Sequence, residues 1–240
     1  MSNEILWIIF ALVNFSLIVG IYKLFGKTGL FAWIALGTVL ANIQVTKSID
    51  FTVGNFVLAA TLGNIMYGTL FLVTDALGEK YGVKQARKAV YIGFFSLIST
   101  VIIMTMAIWF VPNEFDFAHE AIETIFGVVP RIALASLTAY AVSQMLDVSL
   151  FEKLKQRFPG KNKLYIRNIG STLISQLVDT IIFVPIAFLT IGPFVGYPNE
   201  IVLEIFLTTY FIKLLVAMLD TPFVYLIREI KPLNLLDDNE

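Results

Sequence analysis

The chain has 240 residues, of which 58% are hydrophobic and 15% charged, with a mean hydropathy of +0.81. A soluble core of this length does not absorb so much apolar surface. Its 17 basic and 18 acidic residues leave a net charge of -1, which gives no charge-based case for nucleic acid as a partner. The absence of cysteine excludes disulfide frameworks, cysteine metal sites and thiol chemistry.

A helix needs about 20 mostly apolar residues to cross about 30 Å of hydrocarbon. Seven such runs are marked out by polar breaks: Ile5 to Phe25, Leu30 to Thr46, Leu62 to Leu77, Ala89 to Val111, Val129 to Phe151, Asn168 to Ile191 and Ile201 to Ile227. The first lacks a preceding basic region and a following small-residue cleavage pattern, so it is expected to stay in the mature chain as a span. The expected fold is all-α, a polytopic membrane helical bundle of about seven transmembrane helices. Residues 1–230 read as a single integral membrane domain and 231–240 as a cytoplasmic tail.

Cytoplasmic loops retain Lys and Arg. Lys23 and Lys27 follow the first run, and Lys80, Lys84, Arg87 and Lys88 follow the third. Lys153, Lys155, Arg157, Lys161, Lys163 and Arg167 follow the fifth, and Arg228 and Lys231 follow the seventh, so these segments hold 14 of the 17 basic residues. The alternate loops are acidic or nearly neutral, with Glu114, Asp116, Glu120, Glu123 and Glu200. The pattern predicts an outside N-terminus and a cytoplasmic C-terminus. Trp7, Trp33 and Trp109 lie near predicted span ends, where amphipathic rings favour the headgroup layer.

Between the second and third runs, Ile49, Phe51 and Val53 alternate with Ser48, Asp50 and Thr52, and Gly54-Asn55 supplies a turn. This predicts a short external β-hairpin near residues 48–58 that caps the outer mouth. Apolar residues at Phe115, Ala118, Ile122, Ile125 and Phe126, among four acids, predict a short interfacial helix over 115–126. One repeat stands out. Ser143-Gln144-Met145-Leu146-Asp147 and Ser175-Gln176-Leu177-Val178-Asp179 lie on consecutive spans of opposite direction, each followed four positions later by Phe151 or Phe183. If they face each other, the two polar stripes run antiparallel, as in inverted repeats around a midplane site.

With the loops removed, Asp75, Arg131, Asp147, Asp179, Lys213 and Asp220 remain within or at the edges of the spans. Insertion scales place a central Asp, Lys or Arg at roughly +2.5 to +3.5 kcal/mol, so such groups face a protein-lined or watery interior and pair with something. Tyr140, Gln144, Asp147 and Phe151 share one face of the fifth span, Thr172, Gln176, Asp179 and Phe183 one face of the sixth, and Thr209, Lys213 and Asp220 a stripe on the seventh. Three polar stripes imply a shared polar cavity. The competing reading is that these are structural ion pairs, for instance Lys213 with Asp179. Four acids against two bases leave an acid excess that suits a donor-rich or cationic ligand. Arg131 begins its helix, where the macrodipole disfavours a cation; it either snorkels to headgroups or donates to a ligand carbonyl. Asn42, Gln44 and Lys47 near the outer end of the second span are candidates for the entrance, and Asn64, Thr74 and Asp75 add polar groups on the third. His119 has no second histidine or cysteine, so no metal site is expected.

These residues carry a resemblance. Asn42-Ile43-Gln44-Val45, Phe71-Leu72-Val73-Thr74-Asp75, and Arg131-Ile132-Ala133 through Ala139-Tyr140 to Gln144, Asp147-Val148 and Phe151 belong to it. So do Ser171-Thr172, Asp179-Thr180 and Phe183, with Tyr210, Lys213 and Pro222. Over nearly its whole length the chain resembles the queuosine precursor transporter family. The resemblance implies import of 7-deazaguanines, chiefly 7-cyano-7-deazaguanine and 7-aminomethyl-7-deazaguanine, across the cytoplasmic (inner) membrane for salvage into tRNA, with no catalytic residues and no cofactor. A guanine-like ring presents adjacent N–H donors that one carboxylate accepts together, for which Asp147 and Asp179 are candidates. Tyr140, Phe151 and Phe183 are available for stacking. Membrane lipid is the other expected contact. The alternative is the substrate-binding component of an energy-coupling vitamin transporter, which needs ATPase partner chains because no nucleotide-binding motif occurs here. An intramembrane enzyme ranks behind both.

Overall fold

The computed structural model describes residues 2–53, 56–127, 129–189 and 196–233. Its elements in chain order are α1 (Asn3–Gln44), β1 (Ser48–Val53), β2 (Phe56–Thr61), α2 (Gly63–Tyr81), α3 (Val83–Ile108), α4 (His119–Gly127), α5 (Val129–Arg157), α6 (Leu164–Phe188) and α7 (Asn199–Glu229), with one 3₁₀ turn at Lys161–Lys163. Among the described residues, five helices, α1, α3, α5, α6 and α7, are long and apolar enough to cross a membrane. The chain is an integral membrane protein.

The first two predicted spans are the arms of α1. Gly26 adopts φ 56°, open to glycine at little cost, and breaks the helix there. The second arm returns along the first: the Asn3 side-chain amide donates to the Asp50 carbonyl at 2.9 Å, and Glu4 accepts from the Thr52 N–H at 2.7 Å. The predicted hairpin is present as antiparallel β1 and β2, paired from Ser48↔Thr61 to Val53↔Phe56. It extends to Thr61, three residues beyond the expectation, and its turn residues 54 and 55 lie outside the described residues.

α2 has the weakest membrane signature of the spans, because Asn64, Thr69, Thr74 and Asp75 dilute its apolar run. The bundle explains this: α2 is the central helix, with 15 of its 19 residues buried. α1, α3, α5, α6 and α7 surround it, each packed on the next and α7 back on α1. Protein, not lipid, faces α2 on every side, so polar residues are tolerated where partners exist. Small residues bring its neighbours close. A Cβ on Gly68 would overlap Val216 of α7, and one on Gly63 would reach the Ala41 carbonyl at 2.9 Å. α3 is peripheral, with Ala86, Ala89, Val90, Gly93 and Leu97 its buried residues.

The four basic segments gather at the end opposite the hairpin. Lys155 donates to the Gly78 and Glu79 carbonyls at 2.8 and 2.7 Å, Arg228 to the Lys161 carbonyl at 2.6 Å, and the Leu233 N–H to the Lys23 carbonyl at 2.8 Å.

Several expectations need correction. α3 starts six residues before the predicted span, because Gly82 at φ 87° turns the chain directly from α2 into α3. Arg167, which its basic neighbours assign to a loop, lies in the first turn of α6 and is 1% exposed. The interfacial helix starts at His119, not Phe115, because the Asp116 carboxylate accepts the Ala118 and His119 N–H groups at 2.8 and 2.7 Å and caps it. Trp7 packs edge-on against Phe51, and the Trp33 indole donates to Thr69 at 3.1 Å, so both rings point into the protein. Trp109 is exposed at the end of α3. The last two residues of the predicted sixth span, 190 and 191, lie outside the described residues.

Candidate functional site

A cavity of about 540 Å³ occupies the hairpin end. Thr46 and Ser48 at the end of α1 and start of β1, Ala60 and Thr61 of β2, Thr124 and Ile125 of α4, Phe183 and Phe188 of α6, and Ile201, Glu204 and Thr209 of α7 are among its walls. A narrow throat continues inward between Asn64, Tyr67, Ser136, Ala139, Asp179, Phe183, Thr209 and Lys213. Phe183, Val45 and Thr209 border both spaces. The volume is within the range of small-molecule sites, and the composition, mostly apolar with a few convergent polar groups, is typical of them.

Asp179 and Lys213 form an ion pair in the throat, with side chains 14% and 4% exposed. The Ser143 hydroxyl donates to the Asp179 Oδ1 at 2.9 Å. The pairing named as the structural reading of Lys213 is therefore present, and the same pair lies where the cavity reaches inward. Above it, the Tyr67 hydroxyl donates to Ser136 at 3.1 Å.

The repeat is realised as a reciprocal contact. Ser143 of α5 donates to Asp179 of α6, and Ser175 of α6 donates to Asp147 of α5 at 2.8 Å. The two stripes face each other antiparallel. Their surroundings differ: Asp179 meets Lys213, whereas Asp147 faces Asp75 of α2. Asp220 lies deeper still on α7, accepting from the Asn168 amide at 3.0 Å. The four intramembrane aspartates thus fall in two layers, Asp179 beside the cavity and Asp75, Asp147 and Asp220 toward the basic end.

The other candidates are distributed around these layers. Gln144 is buried beneath the throat, its Oε1 accepting from Thr74 at 3.4 Å. Gln176 is 2% exposed with no partner for Oε1. Asn42 is buried and donates to the Thr38 carbonyl at 2.9 Å, and Gln44 ends α1 half-buried beside the cavity-lining Val45. Tyr140 packs toward α3, where a Cβ on Gly93 would overlap its hydroxyl, and Phe151 lies 3.5 Å from the position of a Cβ on Gly78. Of the three aromatic candidates, Phe183 lines the cavity. Arg131 is in the first turn of α5, and its side chain lies outside the described set.

A third layer closes the basic end. Glu79 at the end of α2 accepts from Arg167 at 2.7 Å, with Lys155 at 3.7 Å and Arg228 at 4.0 Å. Arg167 also donates to the Phe158 and Gly160 carbonyls. This ties α2, α5, α6 and α7 together beneath the acids.

Two kinds of comparison bear on this arrangement. The family described as "Putative vitamin uptake transporter" matches residues 61–227. A Bacillus subtilis protein called "Probable queuosine precursor transporter" is 45% identical over 232 residues, covering 97% of both chains. The chain belongs to the queuosine precursor transporter family. The Escherichia coli "Queuosine precursor transporter" is 28% identical over 188 residues, 78% of this chain and 80% of its own. No solved structure matches the chain significantly. The family match starts at the end of β2 and takes in Asp75, Asp147, Asp179 and Asp220, the throat apart from Val45, and the Glu79 cluster apart from Arg228. Tyr67 and Ser136, which line the throat, and Ser143, which donates to Asp179, are residues that sequence reasoning did not select for the site. A lone Tyr or Ser in an apolar run carries no signal until the helix packing is known. Ser143 and Ser175 were visible only as members of the repeat.

Proposed function

We propose that the protein imports queuosine precursors, 7-cyano-7-deazaguanine or 7-aminomethyl-7-deazaguanine, across the cytoplasmic membrane, with the N-terminus outside and the C-terminus in the cytoplasm. The observation that carries the reading is the Asp179–Lys213 pair at the inner end of the cavity, beside Phe183. A guanine-like edge presents one carbonyl acceptor next to two N–H donors. A carboxylate accepts both donors and an ammonium donates to the carbonyl, so the ring exchanges the Asp179–Lys213 contact for two complementary ones. Phe183 supplies the stacking face. Asn64, Tyr67, Ser136 and Thr209 line the same throat and are available to the ring's remaining polar atoms.

The orientation rests on the convergence of the basic segments at one end of the bundle. With that end cytoplasmic, the cavity lies on the outer side and the Glu79 cluster closes the inner side, an arrangement suited to capture from outside. The aminomethyl substrate is a cation and gains from the acid excess, whereas the cyano substrate depends on hydrogen bonds alone.

The test uses cells unable to make the precursors, given limiting external 7-cyano-7-deazaguanine. Expressing the chain should restore queuosine to tRNA, and Asp179→Asn should not. Salvage that is independent of the chain contradicts the reading. If salvage requires co-expressed ATPase chains, the energy-coupling alternative replaces it.

A further inference from the structure

We infer that Asp75 and Asp147, with Asp220 beside them, hold one monovalent cation, H⁺ or Na⁺, at a site distinct from the cavity. Asp75 is 1% exposed, Asp147 0% and Asp220 1%. Among the described residues no Lys, Arg or His forms an ion pair with any of them. Lys213 is taken by Asp179, and Arg167 by Glu79. The titratable groups facing the site are Asp75 and Glu79 from α2, Asp147 from α5 and Asp220 from α7. α6 contributes the uncharged Asn168, Ser171 and Ser175.

Three observations point to an occupant. The Thr74 hydroxyl of α2 meets Gln144 of α5 at 3.4 Å, which brings the adjacent Asp75 and Asp147 onto facing, fully buried parts of the two helices, and two ionised carboxylates do not share such a space unless a proton or metal ion accompanies them. Both oxygens of Asp75 and Oδ2 of Asp147 have no donor. The buried Asn168 Oδ1, on the amide that holds Asp220, and the buried Thr172 Oγ1, on the same face of α6, are also unpartnered. Oxygen atoms of carboxylate, amide and hydroxyl groups form a ligand set for a hard cation.

The repeat supplies the fourth argument. Asp147 and Asp179 are equivalent in it, each receiving a serine from the opposite helix. Asp179 has a covalently attached cation in Lys213. Asp147 has another acid in the corresponding position, and three buried acids without a countercharge are too costly to persist. A mobile cation does at Asp147 what Lys213 does at Asp179. Because the serines cross between the layers, loading the inner site and opening the Asp179–Lys213 pair act on the same two helices. On the transport reading above, this is the site of the coupling ion.

The test separates the two claims. Full-length protein purified in detergent is assayed at neutral pH for saturable binding of radioactive sodium and, by infrared difference spectroscopy, for a protonated carboxylic acid. The expected result is one of the two signals, lost in Asp75→Asn and in Asp147→Asn while both variants elute as the wild type does. Neither signal in the wild type, or a signal that survives both substitutions, overturns the inference. In vesicles, uptake of labelled 7-cyano-7-deazaguanine should rise about tenfold under the matching sodium or proton gradient, as an ion driving force of about 1.4 kcal/mol allows. Uptake indifferent to both gradients overturns the coupling role. A cation signal without any uptake supports the site and counts against the transport reading.

Discussion

Asp179 and Lys213 satisfy each other in the closed pair, so their substitution separates a structural role from a binding one. Asp179→Asn keeps the shape and the Ser143 contact but loses the charge that accepts two N–H groups. A hydrogen bond to a charged group is worth about 1.5–3 kcal/mol. Apparent substrate affinity should therefore fall about 10- to 100-fold, read as KM for uptake at equal surface expression. Glu79 and Arg167 make the opposite prediction. Arg167→Ala leaves Glu79 buried with more distant Lys155 and Arg228, and breaking such a pair costs about 3–5 kcal/mol. It should lower the thermal midpoint of the purified protein while leaving KM unchanged, whereas Asp179→Asn, which leaves the buried Lys213 without its carboxylate, should lower the midpoint and raise KM. At this scale the sequence exposed Asp75, Asp147, Asp179 and Asp220, because a charge in an apolar run is its own signal, but Glu204, within the predicted seventh span and in the cavity wall, was passed over. It did not expose Arg167 and Glu79 as partners, since a basic residue beside a basic loop reads as topology. Nor did it tell Phe183, in the cavity wall, from Tyr140 and Phe151, which pack toward glycines of α3 and α2.

Helices in this bundle are positioned by close approach as much as by apolar area. A Cβ at Gly68 has no room beside Val216, so Gly68→Ala should push α2 from α7 and cost about 1–3 kcal/mol. Val216→Ala in the same chain should recover part of the loss, measured by thermal unfolding of both variants. α4 has a pH-dependent start. The His119 and Ala118 N–H groups hold the Asp116 carboxyl below the usual carboxylate range. Its cap is thus fully present above the unfolded-state pKa and lost as pH falls through the depressed folded value. Amide exchange in α4 should accelerate over that acid window relative to α3, and Asp116→Asn should remove the pH dependence. Element boundaries were legible where hydropathy changes sharply, as at the start of α5 and both ends of α7, whereas α5 runs six residues past the predicted Phe151. They were not legible where one capping carboxylate or a positive-φ glycine decides, as at Asp116 and Gly82. The central position of α2 was hidden for a related reason: its polar residues, tolerated through burial in protein, read as a weak span.

Across the whole molecule three charged layers succeed one another from the cavity inward: Asp179 with Lys213, the Asp75–Asp147–Asp220 group, and Glu79 with its basic partners. Seven crossings place the hairpin and α4 on one side and the basic segments on the other. The chain has no native cysteine, so single cysteines report sidedness directly. A membrane-impermeant maleimide added to intact cells should label Glu120→Cys, and should label Lys161→Cys only after permeabilisation. The reverse pattern would invert the proposed orientation.

The most direct test of the central claim is uptake of labelled 7-cyano-7-deazaguanine by vesicles containing the purified chain and no other protein. The account predicts saturable uptake that unlabelled 7-aminomethyl-7-deazaguanine competes away and that Asp179→Asn reduces at least about tenfold. Uptake no greater than in empty vesicles under either ion gradient, or equal uptake by the Asp179→Asn chain, would contradict it.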